Sequence, residues 1–167
     1  MADNTILGAA CALAGVALSQ AVSVFQSHRE RKHKHQILLR EKYEEFSNIF
    51  LESRKQSSKL YSCETSSDIM EIMLLDDANK AMLIAKLYFP ELCDPVKKYI
   101  DAFSDLIQHT NDYYVACGTS AVRAIATGYL QTPEKQKKFA KIGEVYGVAS
   151  NFLNDEIVKN SQRYTKY

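Results

Sequence analysis

The sequence predicts an all-α protein: a single N-terminal transmembrane helix followed by an antiparallel cytoplasmic bundle of about four helices. Three observations lead there. Apolar residues recur at alternating spacings of three and four along most of the 167 residues, which is the period of one helical face. No segment sustains the apolar–polar alternation of a half-buried strand. The chain has only six glycines and three prolines, and two of those prolines stand where helices are expected to begin.

The first element is set by an absence of charge. From Thr5 to Phe25 the chain runs 21 residues without a charged side chain, and the block His28-Arg29-Glu30-Arg31-Lys32-His33-Lys34-His35 follows. Twenty-one helical residues span about 31 Å, close to the hydrocarbon thickness of a bilayer. A cleavable signal peptide is disfavoured, because the chain opens on Met1-Ala2-Asp3-Asn4 rather than on a basic n-region. A buried helix of a water-soluble fold is the other alternative. The segment is rich in Ala and Gly and carries Ser19, Gln20 and Ser23, so its insertion energy is marginal. Lys and Arg crowd the C-terminal flank alone, which by the positive-inside rule places the N-terminus outside and the following domain in the cytoplasm. The expectation is therefore a single-pass membrane protein with the lipid bilayer as its first partner.

Within this segment Gly8, Ala12, Gly15, Ser19 and Val22 recur at spacings of four and three. Small side chains on one stripe let helix backbones approach closely in lipid. The stripe reads as a self-association seam, although an Ala-rich segment also produces one by composition alone.

Residues 28–42 hold six Lys or Arg against two Glu. With no Gly or Pro to interrupt it, this stretch continues the helix. Arg29, Arg31, Lys32 and Lys34 read as a collar at the membrane surface, where each cation is worth about 1 kcal/mol near anionic lipid. His28, His33 and His35 include no pair four apart, so one helical face cannot chelate a metal through them. Residues 43–167 hold 15 Lys or Arg against 17 Asp or Glu, which leaves no electrostatic footprint for nucleic acid. Residues 1–27 are thus read as the anchor, 28–42 as a basic juxtamembrane helix and 43–167 as the bundle.

The first bundle helix follows the stripe Leu39, Tyr43, Phe46, Phe50, Ser53, Ser57, Leu60. Its middle is polar at Ser53 and Ser57, where packing should be weaker. A break is expected at 62–67, with Ser67 or Asp68 capping the next helix and Asp68–Glu71 at capping-box spacing. That helix is read as continuous from Ile69 to about Tyr88, ending at Phe89-Pro90 because a residue before proline leaves the α region. Asp94-Pro95 is read as an N-cap and first helical position, opening a helix with Val96, Tyr99, Ile100, Phe103, Leu106, Ile107 and Thr110 on one face. A bend is expected near Gly118, then a short helical stretch with Val122, Ile125 and Tyr129. Thr132-Pro133 starts the last helix, whose stripe is Phe139, Ile142, Tyr146, Ala149, Leu153 and Ile157.

Chemistry is not legible. Cys11, Cys63, Cys93 and Cys117 form no paired motif and read as reduced thiols. There is no Gly-rich phosphate loop, no HExxH and no nucleophile elbow. Asp105 and His109, four apart, read as a surface contact, and Asp76-Asp77 as the solvent side of a helix. Lys135, Lys137, Lys138 and Lys141 read as a solvated face. Tyr164 and Tyr167 fall off the core stripes and suggest a docking tail. No catalytic, cofactor or metal site is expected.

The architecture resembles that of small single-span bacterial membrane proteins with a helical cytoplasmic domain. Some of these act in defence against phage. The expectation is a non-enzymatic, membrane-anchored interaction module that forms a homo-oligomer and binds an unidentified protein. The alternative is a membrane-disrupting effector whose spans assemble along the Gly8–Val22 seam.

Overall fold

The computed structural model describes residues 2–60, 62–63, 66–117 and 132–165; for residues 2–14, 17, 66, 113 and 115–117 it describes the backbone only. Among the described residues every regular element is a helix. These are α1 (Ala2–Leu60), α2 (Ser66–Met73), α3 (Asp76–Tyr88), a 3₁₀ turn (Pro90–Leu92), α4 (Cys93–Cys117) and α5 (Pro133–Thr165). The chain divides into two units, Met1–Arg40 and Glu41–Tyr167.

The first unit is helical from Ala2, and its described side chains are exposed except Gln36 and Leu39, which are half-buried. Val16, Leu18, Val22, Val24 and Phe25 all face solvent. Among the described residues no helix is long and apolar enough to cross a membrane. This corrects the expected transmembrane helix, the single-pass localisation and the outside–cytoplasmic topology. The physical reason lies in the described half of the segment. Ser19, Gln20, Ser23, Gln26 and Ser27 dilute its apolar residues before the charged block begins at His28, and polar side chains carry the transfer cost.

The second unit is the expected helical bundle. Residues 41–60 of α1 bury Tyr43, Phe46, Phe50, Ser53, Ser57 and Leu60, one stripe at spacings of three and four. Ring contacts give the helix directions. Along α1, Tyr43 and Phe46 meet Phe89 and then Phe50 meets Tyr99, so α1 and α4 run parallel. Along α4, Tyr99 and Phe103 meet Tyr146 and then His109 meets Phe139, so α5 runs antiparallel to α4. The Gln56 amide donates to Asp77 at the start of α3 (2.8 Å), and Phe89 after the end of α3 meets Tyr43, so α3 runs antiparallel to α1.

The expected continuous helix over 69–88 is broken. Leu75 adopts φ 51°, ψ 32°, in the left-handed region, and separates α2 from α3. Its side chain is buried, its amide donates to Ile72 O (3.1 Å) and its carbonyl accepts from the Asn79 amide (2.8 Å). Asp76 and Asp77 therefore occupy the first turn of a new helix, where carboxylates offset the exposed amides and the positive dipole end. They do not line the solvent side of a continuing one. Tyr88 ends α3 before Phe89-Pro90, as expected.

The other starts differ in detail. α2 begins at Ser66, which puts Ser67 and Asp68 inside it. The 3₁₀ turn runs straight into α4 at Cys93, so Asp94 sits in the first turn and is not the cap. Thr132 precedes α5 as expected, and its carbonyl accepts from Lys135 and Gln136. Val122, Ile125, Tyr129 and the bend near Gly118 lie outside the described residues.

Leucine pays about 1–2 kcal/mol for a left-handed conformation that glycine adopts freely. Leu75→Gly is therefore expected to be no less stable than Leu75→Ala. This reverses the usual order, in which glycine costs about 1 kcal/mol more than alanine within a helix. Urea denaturation of the two variants measures it.

Candidate functional site

Two surfaces of the second unit are built by its helix packing, one polar and one apolar. The polar one begins in the core. Ser53 on α1 is fully buried, and its hydroxyl shares a 2.9 Å hydrogen bond with the buried Tyr99 hydroxyl on α4. One turn on, Ser57 is buried with its hydroxyl donated to the Arg54 carbonyl (2.7 Å). Facing these from α5 are Tyr146 and Ser150. The Ser150 hydroxyl is enclosed with no hydrogen-bond partner among the described atoms, and the enclosed Tyr146 hydroxyl lies close enough to that of Tyr99 to raise its pKa. The weaker packing expected at Ser53 and Ser57 takes this form: small polar side chains leave α1 and α5 apart. A groove of about 560 Å³ opens between them, with Arg54, Ser57, Tyr146, Gly147 and Ser150 among its walls.

The apolar surface lies between α4 and α5. A groove of about 710 Å³ is floored by Ala102, Val145, Val148, Ala149 and Phe152 and edged by Lys98, Asp101, Asp105, Lys141 and Glu144. Val148 is 65% exposed, Val145 50% and Phe152 43%. The Lys98 ammonium lies 5.5 Å from the Phe152 ring centroid, within cation–π range.

Burial governs the titration of the core. It is the largest cause raising the Tyr43 and Tyr99 pKa values above the usual tyrosine range, because the phenolate cannot be hydrated there. Tyr164 is pushed up to about 12, again by burial first, then by the hydrogen bond its hydroxyl donates to Glu91 and by the charge of that carboxylate. Tyr164 is thus no docking tail, since its ring packs on Tyr43 and Phe89 (centroids 5.0 and 4.8 Å apart). Tyr167 lies outside the described residues. His109 is half-buried with its ring against Phe139. Its pKa is lowered by burial and then by Lys138, with Asp112 opposing.

The residues singled out from sequence alone are not brought together. Gly15, Ser19 and Val22 of the seam are exposed, no part of the chain lies within 4 Å of where a Gly15 Cβ would be, and the Ser19 hydroxyl turns back to Val16 O. The side chains of Gly8 and Ala12 lie outside the described residues. Arg29, Arg31, Lys32 and Lys34 are all exposed. Cys63 is a buried free thiol and Cys93 a half-buried one. No cluster of metal-ligating residues occurs among the described residues. Sequence reasoning missed both grooves. The one available signal for the polar groove was the serine pair inside an apolar stripe. No family model matches the chain, and no curated protein or solved structure matches it either.

Raised tyrosine pKa values make folding sensitive to alkali. The folded values lie above the unfolded value of about 10, so their contribution is intact below pH 10 and is lost as pH rises toward the folded values. Stability should fall steeply from pH 10 upward. Tyr99→Phe should flatten that slope while costing about 1 kcal/mol at pH 7 through the lost Ser53 bond. Denaturant titrations of both chains across that range read both effects.

Proposed function

We propose that the second unit is a non-catalytic, self-associating interaction module whose contact surface is the exposed face of α5. The observation that carries this reading is one stripe. Lys141, Val145, Val148, Phe152 and Asp155 follow one another at spacings of four, three, four and three, and all five are exposed. Such spacing is the seam of a helix that packs against another helix.

The stripe is self-complementary. It is centred on Val148, with a cation seven residues before and an anion seven residues after. Two copies of α5 laid antiparallel about a twofold axis at Val148 bring each Lys141 opposite the other copy's Asp155. They also bury Val145, Val148 and Phe152 between them. A twofold contact of this kind uses the same patch on both subunits. The mixed-sign edges of the α4–α5 groove suit a second copy better than a strongly charged partner. The apolar centre supplies the drive for association, since about 25 cal/mol is gained per Å² of apolar surface removed from water.

Sedimentation equilibrium of the full chain tests this reading. A concentration-dependent dimer is expected. Val148→Asp should weaken association at least tenfold, because it buries an unpaired carboxylate at the twofold axis. Lys141→Asp should also weaken it, and adding Asp155→Lys to that chain should restore it. A wild-type monomer at all concentrations, or a dimer indifferent to Val148→Asp, would remove this function.

A further inference from the structure

We propose that the polar groove between α1 and α5 binds a small ligand through a monoanionic oxyanion group, a carboxylate or a phosphodiester. Four observations converge on it. The first is an unpartnered hydroxyl. Ser150 is 2% exposed, and its hydroxyl has no partner, although a helical serine ordinarily bonds the carbonyl four residues back. The Tyr146 hydroxyl, enclosed at the same wall, lies near enough to the Tyr99 hydroxyl to raise its pKa. A buried hydroxyl left unpaired is costly, so Ser150 presents a bonding demand which an incoming acceptor meets.

The second is Arg54. It is half-buried and lines the groove, with its guanidinium carbon 5.9 Å from the Phe50 ring centroid. Among the described residues it has no carboxylate partner. The guanidinium presents a planar fork of donors suited to two oxygens of one anion. The third is charge balance. Lys55 and Glu52, also in the wall, neutralise one another at 2.6 Å. Arg54 is left as the single uncompensated charge, which selects a monoanion over a dianion. The fourth is room. Nothing lies within 4 Å of where a Gly147 Cβ would be, and the groove volume lies within the range of small-molecule sites. The exposed amides of Asn48 and Asn151 at its mouth can receive the polar remainder of the ligand.

The groove is independent of the proposed dimer contact. Residues 146, 147 and 150 lie on the opposite side of α5 from residues 145, 148 and 152, given 100° of rotation per residue, and Asn151 stands at the edge between the two. Failure of either proposal leaves the other standing.

The test is an NMR titration of the ¹⁵N-labelled full chain with sodium acetate and, separately, with dimethyl phosphate. Sodium chloride at matched ionic strength is the reference, and the two probes separate the carboxylate from the phosphodiester source. Saturable shifts are expected at the Gly147, Ser150 and Asn151 amides and at the Arg54 side chain for at least one probe. Inorganic phosphate, titrated well above its second pKa where it is a dianion, should bind no better than dimethyl phosphate. Arg54→Met keeps the aliphatic stem and should weaken binding on the order of tenfold to a hundredfold, the loss of one charge-assisted contact. Ser150→Ala should leave the thermal midpoint of the free chain unchanged or raised, since it removes an unsatisfied hydroxyl, while weakening binding several-fold. A merely structural serine would lower that midpoint. Shifts no larger than those of chloride with both probes, or undiminished binding by Arg54→Met, would overturn the site. So would a high-resolution crystal structure grown with both probes in which water alone satisfies Ser150 and Tyr146.

Discussion

Three aromatic rings and one hydrogen bond close the bundle, and the remaining packing depends on that closure. Tyr43 on α1 meets Phe89 edge-on at 5.2 Å and stacks on Tyr164 of α5 at 5.0 Å, and its hydroxyl donates to the Ile157 carbonyl. Phe89, fully buried, sits where α3 gives way to the 3₁₀ turn. These residues are widely separated in sequence, so the cluster joins the entry of α1 into the second unit, the α3–α4 corner and the end of α5. Aromatic pairs in such geometry contribute about 0.5–1.5 kcal/mol beyond their buried area. The phenolic hydroxyl also removes what would otherwise be a wasted polar atom.

From that end the bundle changes character along its axis. Near Tyr43 and Phe46 it is aromatic and dry. Around Ser53 and Tyr99 it becomes polar but satisfied, and at Ser57, Tyr146 and Ser150 it becomes polar and incompletely satisfied. On α1 the small Ser53 and Ser57 stand between the large Phe50 and Leu60, all of them buried, and the groove opens where these small side chains face α5. The apolar α4–α5 groove has another origin. α5 carries two stripes, one with Leu153 and Ile157 turned to the core and one with Val145, Val148 and Phe152 turned outward, and a single layer of helices covers only the first.

Much of the bundle was legible in the residues. The stripe of α1 from Tyr43 to Leu60, that of α4 from Val96 to Thr110 and the buried positions of α5 are where their period places them, because burial of one helical face is a local pattern. The stop at Phe89-Pro90 is local stereochemistry. The break at Leu75 was not read, because nothing in a leucine announces a positive φ. The acidic pair after it was the available sign of a helix start. Tyr164 was misread because its role depends on Tyr43 and Phe89, which no spacing along α5 reveals. The apolar N-terminal run was read as a membrane span from its length and lack of charge. The described helix fails that reading because its polar side chains recur too closely.

What the sequence by itself determined is the class of the protein and the inner face of each bundle helix. Both follow from periodicity, which is written in neighbours three and four apart. The absence of any recognisable catalytic motif is likewise a property of the order of residues. Which hydroxyls lack partners, which arginine lacks a carboxylate and which apolar stripe is left outward were decided only by tertiary structure. These are differences between what a side chain requires and what its spatial neighbours supply, and those neighbours come from distant parts of the chain.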